Sequence, residues 1–208
     1  MPAALLEAWS HVADRPDRSR VLPDGCRDLI RIAVPGQRPV FILSHLGDGC
    51  EWVSHKAGTV YHGFRLRPGT LIREQALLTR ANQAPEADND RVMDWLDTHS
   101  QTSRLVEEAL AALAQGRMPA DASAQRRMER LLKAATGRPP VFWRGLARAR
   151  RAARLLAQTP ELAALAADCG FADQAHLCRE MRRWFGSSPT VMRDDGALWA
   201  LVCQSGYG

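Results

Sequence analysis

The chain has 208 residues, hydrophobic and charged fractions of 46% and 25%, and a formal net charge of +5. That length suits one or two domains, and that composition excludes a mostly disordered chain, a collagen-like repeat and a disulfide scaffold. No window approaches the roughly 18 uninterrupted apolar residues of a membrane span, and the opening MPAALLEAWSH lacks the basic start and long apolar run of a secretory signal. The five cysteines are scattered without a C-x-x-C pair, so reduced thiols in a cytoplasm are expected. The charge is unevenly spread. Residues 1–115 hold 13 basic and 15 acidic side chains, whereas residues 116–208 hold 15 and 8. An Arg-rich half beside a near-neutral half points to a polyanion-binding module attached to something else.

In chain order, residues 4–12 carry the spacing of a short amphipathic helix, followed by the polar loop ADRPDRSR. LIRIAV and VFILS, separated by PGQRP, predict a β-hairpin. GDG is a turn, and EWVSH and TVYHGFRLR are further strands; Phe64 and Leu66 alternate with Arg65 and Arg67, so one face is buried and one is wet. Such a β region over residues 1–80 barely encloses a core and must lean on helices or on a second copy. LIREQALL predicts a helix, ANQAPEADND a linker, and residues 91–98 and 103–115 two more helices. In the last of these Leu105, Val106, Ala109, Leu110 and Leu113 share a face, so residues 81–115 form a helical connection.

The β region holds His45, His55, His62, Cys26, Cys50, Asp48 and Glu51, which are metal-ligand types. Their spacings match no zinc signature, and neither a metal nor a cofactor is expected. Arg65 and Arg67 could hold a carboxylate or phosphate of an effector, or be plain solvated arginines. Trp52 and Tyr61 could line its pocket, or be half-buried core aromatics. No spaced catalytic constellation is present, so the chain is not read as an enzyme.

The C-terminal half carries the sharper signals. Thr159, Pro160 and Glu161 predict a helix start. Leu162, Leu165, Ala166 and Cys169 form its buried side, Gly170 ends it, and Phe171 plugs the turn. Asp173 caps a second helix over residues 174–185, with Leu177, Met181, and Trp184 or Phe185 facing inward, before Gly186 and Ser188-Pro189. Helix, glycine turn and helix make a helix-turn-helix. The outer face of its second helix presents Gln174, Ala175, Cys178, Arg179, Arg182 and Arg183. Gln can pair with adenine, Arg with guanine or phosphate, and Ala can meet a thymine methyl.

The stretch TPELAALAADCGFADQAHLCREMRRWFGSSPTVMR resembles the second helix-turn-helix of AraC-family transcription regulators. Upstream, AQRRMERLLKAATGRPPVFWRGLARARRAARLL resembles the first recognition helix of that family and its connecting helix. LPDGCRDLI and GFRLRPG resemble, over a shorter span, a divergent N-terminal sensor domain of some members. The resemblance implies an α+β chain: a partial cupin-like β-rich domain (1–80), a helical linker (81–115), an all-α DNA-binding domain (116–195) and an apolar tail (196–208). It implies a first recognition helix over residues 124–135, with Gln125, Arg126, Arg127 and Arg130 toward DNA and Met128, Leu131 and Leu132 packing. The connecting helix would be residues 140–158, with Phe142, Leu146, Ala149, Ala153 and Leu156 as its apolar face. One departure stands out: RMPADA, between Gly116 and Ser123, is too short for the supporting helix the family has there. The tail ALWALVC is free to pack on the β region, to bury against a second chain, or to be a last core helix. The expected partners are double-stranded DNA, a small-molecule effector and a second copy of the chain. The runner-up reading is a protein-interaction partner descended from such a regulator, with weak or no specific DNA binding.

Overall fold

In the computed structural model, which describes residues 1–208, the N-terminal stretch is a strand where the spacing predicts a helix. The strands β1 (Leu5–Ala13), β2 (Asp17–Val21), β3 (Arg27–Ala33), β4 (Val40–Leu43), β5 (Glu51–His55), β6 (Thr59–Leu66) and β7 (Leu71–Ile72) precede α1 (Glu74–Gln83) and α2 (Asn89–His99). β8 (Ser100–Gln101) and α3 (Arg104–Ala114) follow. β1 pairs antiparallel with β6 from Leu5 opposite Leu66 to Ala13 opposite Thr59. Cross-strand pairing along that length outweighs the local helical spacing. LIREQALL is likewise corrected: Leu71 and Ile72 pair with Gln101 and Ser100, and the helix starts at Glu74.

The chain divides into two units. The first comprises Met1–Arg20, Cys26–Leu46 and Trp52–Glu107. Its main sheet has the order β1-β6-β3-β4 and is antiparallel throughout, with the predicted hairpin as β3 and β4. It stays open: β2 pairs with β5, and β7 with β8, in separate two-stranded sheets. One face carries Leu5, Leu29, Phe41, Phe64 and Leu66 against Leu77 and Ala81 of α1 and Val92, Trp95 and Leu96 of α2. On the other face, the Trp9 indole lies over Gly63, where a Cβ would fall 2.0 Å from the ring. The backbone edge of β4 is plugged by a side chain: Asn82 accepts from the Phe41 amide and donates to the Phe41 carbonyl, both at 2.9 Å. An amide that mimics a neighbouring strand satisfies an edge otherwise open to pairing.

The second unit comprises Val21–Gly25, Gly47–Glu51 and Glu108–Gly208. Two short segments from within the β-rich stretch therefore group with the helices. They bracket the β3–β4 hairpin in sequence. The helices are α4 (Ala122–Thr136), α5 (Pro140–Leu155), α6 (Leu162–Asp168), α7 (Gln174–Phe185), α8 (Pro189–Asp194) and α9 (Gly196–Val202). α5 is the central element and packs against α4, α6, α7 and α9. Proline at its first position presets the helix, and the expected stripe of Phe142, Leu146, Ala149 and Ala153 is buried, with Leu156 just beyond its end. Buried Trp143 and Trp184 each meet Phe142 edge-on, with ring centroids 5.3 and 5.4 Å apart.

The apolar tail is a last core helix. Leu198 and Val202 are buried, and the Trp199 indole donates to the Ala153 carbonyl at 3.1 Å. Beyond it, buried Arg150 donates to the Gln204 carbonyl at 2.6 Å. The Tyr207 amide donates to the Asp24 carbonyl at 2.7 Å, and its hydroxyl to the Leu110 carbonyl at 2.9 Å. Burial pushes the Tyr207 phenol well above its ordinary range. No helix is long and apolar enough to cross a membrane.

Candidate nucleic-acid interface

α6, its turn and α7 form the helix-turn-helix. Gly170 adopts φ +72° after α6, a left-handed conformation that glycine takes without steric cost. The Phe171 amide then donates back to the Ala166 carbonyl at 2.8 Å, and the buried Phe171 ring fills the turn. Asp173 caps α7 as expected, its carboxylate accepting from the His176 amide at 2.6 Å. The His176 ring meets Phe171 edge-on, 5.4 Å between centroids. α6 begins at Leu162, two residues beyond the expected proline start, and Glu161 makes no side-chain cap bond. The Thr159 and Pro160 carbonyls are instead held by Arg193, which donates to them at 3.0 and 3.2 Å. Cys169 is buried at the end of α6, and burial pushes its thiol up, which keeps it unreactive.

One positioning residue escapes sequence reading. Arg148 of α5 donates to the Gly170 carbonyl at 3.1 Å and lies over the Phe171 ring, 4.4 Å from its centroid. It therefore clamps the turn from below with both charge and stacking. It lies in an Arg-rich run in which nothing in the sequence distinguishes it from its neighbours.

α7 buries Leu177, Met181, Trp184 and Phe185. Gln174, Ala175, Arg179, Arg182 and Arg183 are exposed and Cys178 is half-buried, so the predicted outward face is outward. The arginines differ in freedom. Arg183 stacks on the Trp184 ring at 4.8 Å and sits 3.7 Å from Glu180, whose other oxygen accepts from the Trp184 indole. Arg179 and Arg182 have no intramolecular ion-pair partner.

α4 exposes Gln125, Arg126, Arg127 and Arg130 and buries Leu132, while Met128 and Leu131 are half-buried. An open concavity is lined by Ser123, Arg126, Arg127, Glu129 and Arg130. Gln125 is partly spent, its amide donating to the Pro119 carbonyl at 2.9 Å. Asp121, another residue missed in the sequence, caps α4 by accepting from the Ala124 amide at 2.7 Å; D-A-S ahead of a basic helical run is a readable cap signal. The Ser123 hydroxyl, then that amide, hold the Asp121 carboxyl below the usual aspartate range. Residues 115–121 form no helix, as RMPADA predicts.

The residues named for an effector each have partners within the N-terminal unit. Arg65 Nη1 lies 2.8 Å from Glu7 Oε1 and its Nε 3.2 Å from Asp28 Oδ1, so it is neither solvated nor open to a ligand carboxylate. Arg67 donates to the Ala3 carbonyl at 3.0 Å. The Tyr61 hydroxyl meets His55 Nδ1 at 2.8 Å, and burial raises its pKa. Trp52 is half-exposed, with Arg18 and Arg20 stacked 5.5 and 5.1 Å from its ring. No three His, Cys, Asp or Glu side chains come together as metal ligands.

Two capped helices presenting cationic outer faces, the second behind a glycine turn, define a DNA-binding helical domain. Residues 122–195 match the family model described as a helix-turn-helix domain, and this segment is of the AraC type. A solved structure of an apo ToxT variant from Vibrio cholerae overlaps 90% of this chain and 96% of its own, at 9% identity and a TM-score of 0.42. The comparison with curated proteins found no match. The helix-turn-helix match supports a DNA-binding transcription regulator.

Proposed function

We propose that this chain is a sequence-specific transcription regulator that inserts α7, and with it α4, into the DNA major groove. The observation that carries the reading is the outer face of α7. Arg179 and Arg182 stand exposed and unpaired on a helix whose start is fixed by the Asp173 cap and whose turn is clamped by Arg148. A guanidinium with no partner of its own, on a rigid helix, is arranged for bidentate contact with guanine. Gln174 and Ala175 lie at the helix start, where base edges are met. Arg126, Arg127 and Arg130 supply phosphate contacts and their salt dependence. The N-terminal unit serves effector sensing or self-association, and the chain works by binding in a bacterial cytoplasm without catalysing a reaction.

The test is fluorescence anisotropy across a salt series, with duplex from upstream of the chain's own gene and a scrambled control. Arg182→Ala is expected to cost about 1–3 kcal/mol on the specific duplex only. Equal, weak, salt-abolished binding to both duplexes would sink the reading. One observation favours the interaction-partner alternative: no helix lies between Ala114 and Ala122 to support α4. Under that alternative the protein forms a protein-only complex and shows no DNA affinity at low salt.

A further inference from the structure

The segment Gly47–Glu51 belongs to the helical unit although it lies far upstream in sequence. It meets the α4–α5 turn and the end of α7, one of the helices assigned above to DNA. Asp48 places its carboxylate oxygens 2.9 and 3.0 Å from Arg138 Nη1. Arg138 follows Gly137, the C-cap of α4, and its guanidinium also lies over the Phe142 ring of α5 at 4.9 Å. The next residue, Gly49, approaches the other helix so closely that a Cβ there would fall 2.6 Å from the Arg183 carbonyl oxygen, in the last turn of α7. Cys50 then sits against the α7 C-cap: its Cβ and Sγ lie 3.1 and 3.2 Å from where a Cβ on Gly186 would be. Three successive residues thus touch the α4–α5 turn and the end of α7.

These contacts differ in kind. The Asp48 side chain is well exposed, so its ion pair is a weak tether that fixes direction more than it adds stability. The Gly49 contact is backbone against backbone and cannot yield by rotating a side chain. A steric stop on α7 and a charged tether on the α4–α5 turn thus bridge the two helices beside α5, which packs on both.

We infer that Asp48 and Gly49 are positioning residues, which set the number of base pairs the protein accepts between the site of α4 and the site of α7. The inference rests on the DNA reading proposed above. Two helices on one DNA face must lie about one helical turn apart, and each added base pair rotates one site by roughly 35° relative to the other. A rigid pair of helices discriminates against that rotation, and a loosened pair tolerates it.

The experiment uses the full chain. Wild-type protein selects duplexes from a random pool, and the best one is resynthesised with one or two base pairs added to or removed from its centre. A duplex keeping only one of its two sites is the control. Wild type is expected to lose about tenfold in affinity per base pair of altered spacing, which corresponds to about 1.4 kcal/mol. Asp48→Asn should flatten that profile to within about threefold, on the scale of one weak ion pair, and leave single-site binding unchanged. Gly49→Val should shift the preferred spacing or abolish the preference. A thermal melt identifies a Gly49 variant that fails to fold, in which case Asp48→Asn carries the test alone. If wild type selects a duplex and every folded variant shares its spacing profile, this inference is overturned and the DNA reading stands. If wild type selects no duplex, both fall.

Discussion

The two helices proposed to meet DNA are held differently at their starts. α7 is positioned from its start: the Gly170 turn, the Phe171 plug, the Asp173 cap and the Arg148 clamp all precede it or meet its first turn. α4 has an irregular stretch before it, and its start is ordered by the Asp121 cap and by the Gln125 bond to the Pro119 carbonyl. Its contact to the buried core of the unit comes at its end. There Thr136 donates to the Leu132 carbonyl at 2.7 Å, and its hydroxyl accepts from the Trp143 indole and the Arg138 amide at 3.3 and 3.1 Å. A helix pinned at its start keeps its base-reading end fixed. One anchored chiefly at its far end has fewer contacts ordering its base-reading end, and its outer residues suit phosphate better than base edges.

That contrast can be broken experimentally. The largest effect is expected from Phe171→Ala. Emptying the turn of a buried ring should cost about 3–5 kcal/mol in a urea melt. A loss below about 1 kcal/mol, the scale of an ordinary substitution, would mean the turn stands without its plug. Next comes Asp173→Ala, for which loss of the cap should cost about 1 kcal/mol and weaken specific DNA binding in parallel. Stability lost with DNA affinity intact would show that the start of α7 need not be rigid.

The smallest effect is a pH effect on α4. The Asp121 carboxyl is held below its ordinary pKa in the folded chain, so its contribution is complete above the usual aspartate pKa and lost as pH falls through the lowered value. An NMR titration of the Asp121 carboxyl should therefore show a midpoint below that of an unfolded-chain aspartate. A midpoint at or above it would mean that α4 starts without its cap.

Much of the helical half was legible in the sequence because its determinants are local. Gly170, Asp173 and Gly186 act within a few residues of themselves, and the stripe from Phe142 to Leu156 repeats at helical spacing. The misreadings arise where the partner is distant. ALLEAWSHV, residues 4–12, fits a helix until β6 offers a full ladder of partners. Arg65 reads as a wet strand residue because Glu7 and Asp28, which fill its guanidinium, come from two other strands. Arg148 reads as one more cation until the turn folds onto it. For Asp48 and Gly49 no local pattern exists at all, since GDG reads as a turn whether or not anything docks against it.

The interleaving of the two units also bears on how such a chain can be remade by recombination. A single join after residue 115 would give the helical half a new N-terminal neighbour but strip away Val21–Gly25 and Gly47–Glu51. The Tyr207 amide would lose the Asp24 carbonyl, and Arg138 would lose the Asp48 carboxylate. The two halves are therefore not interchangeable cassettes. A working hybrid must inherit a hairpin whose flanking loops already match the helices, so the two units are constrained to diverge together.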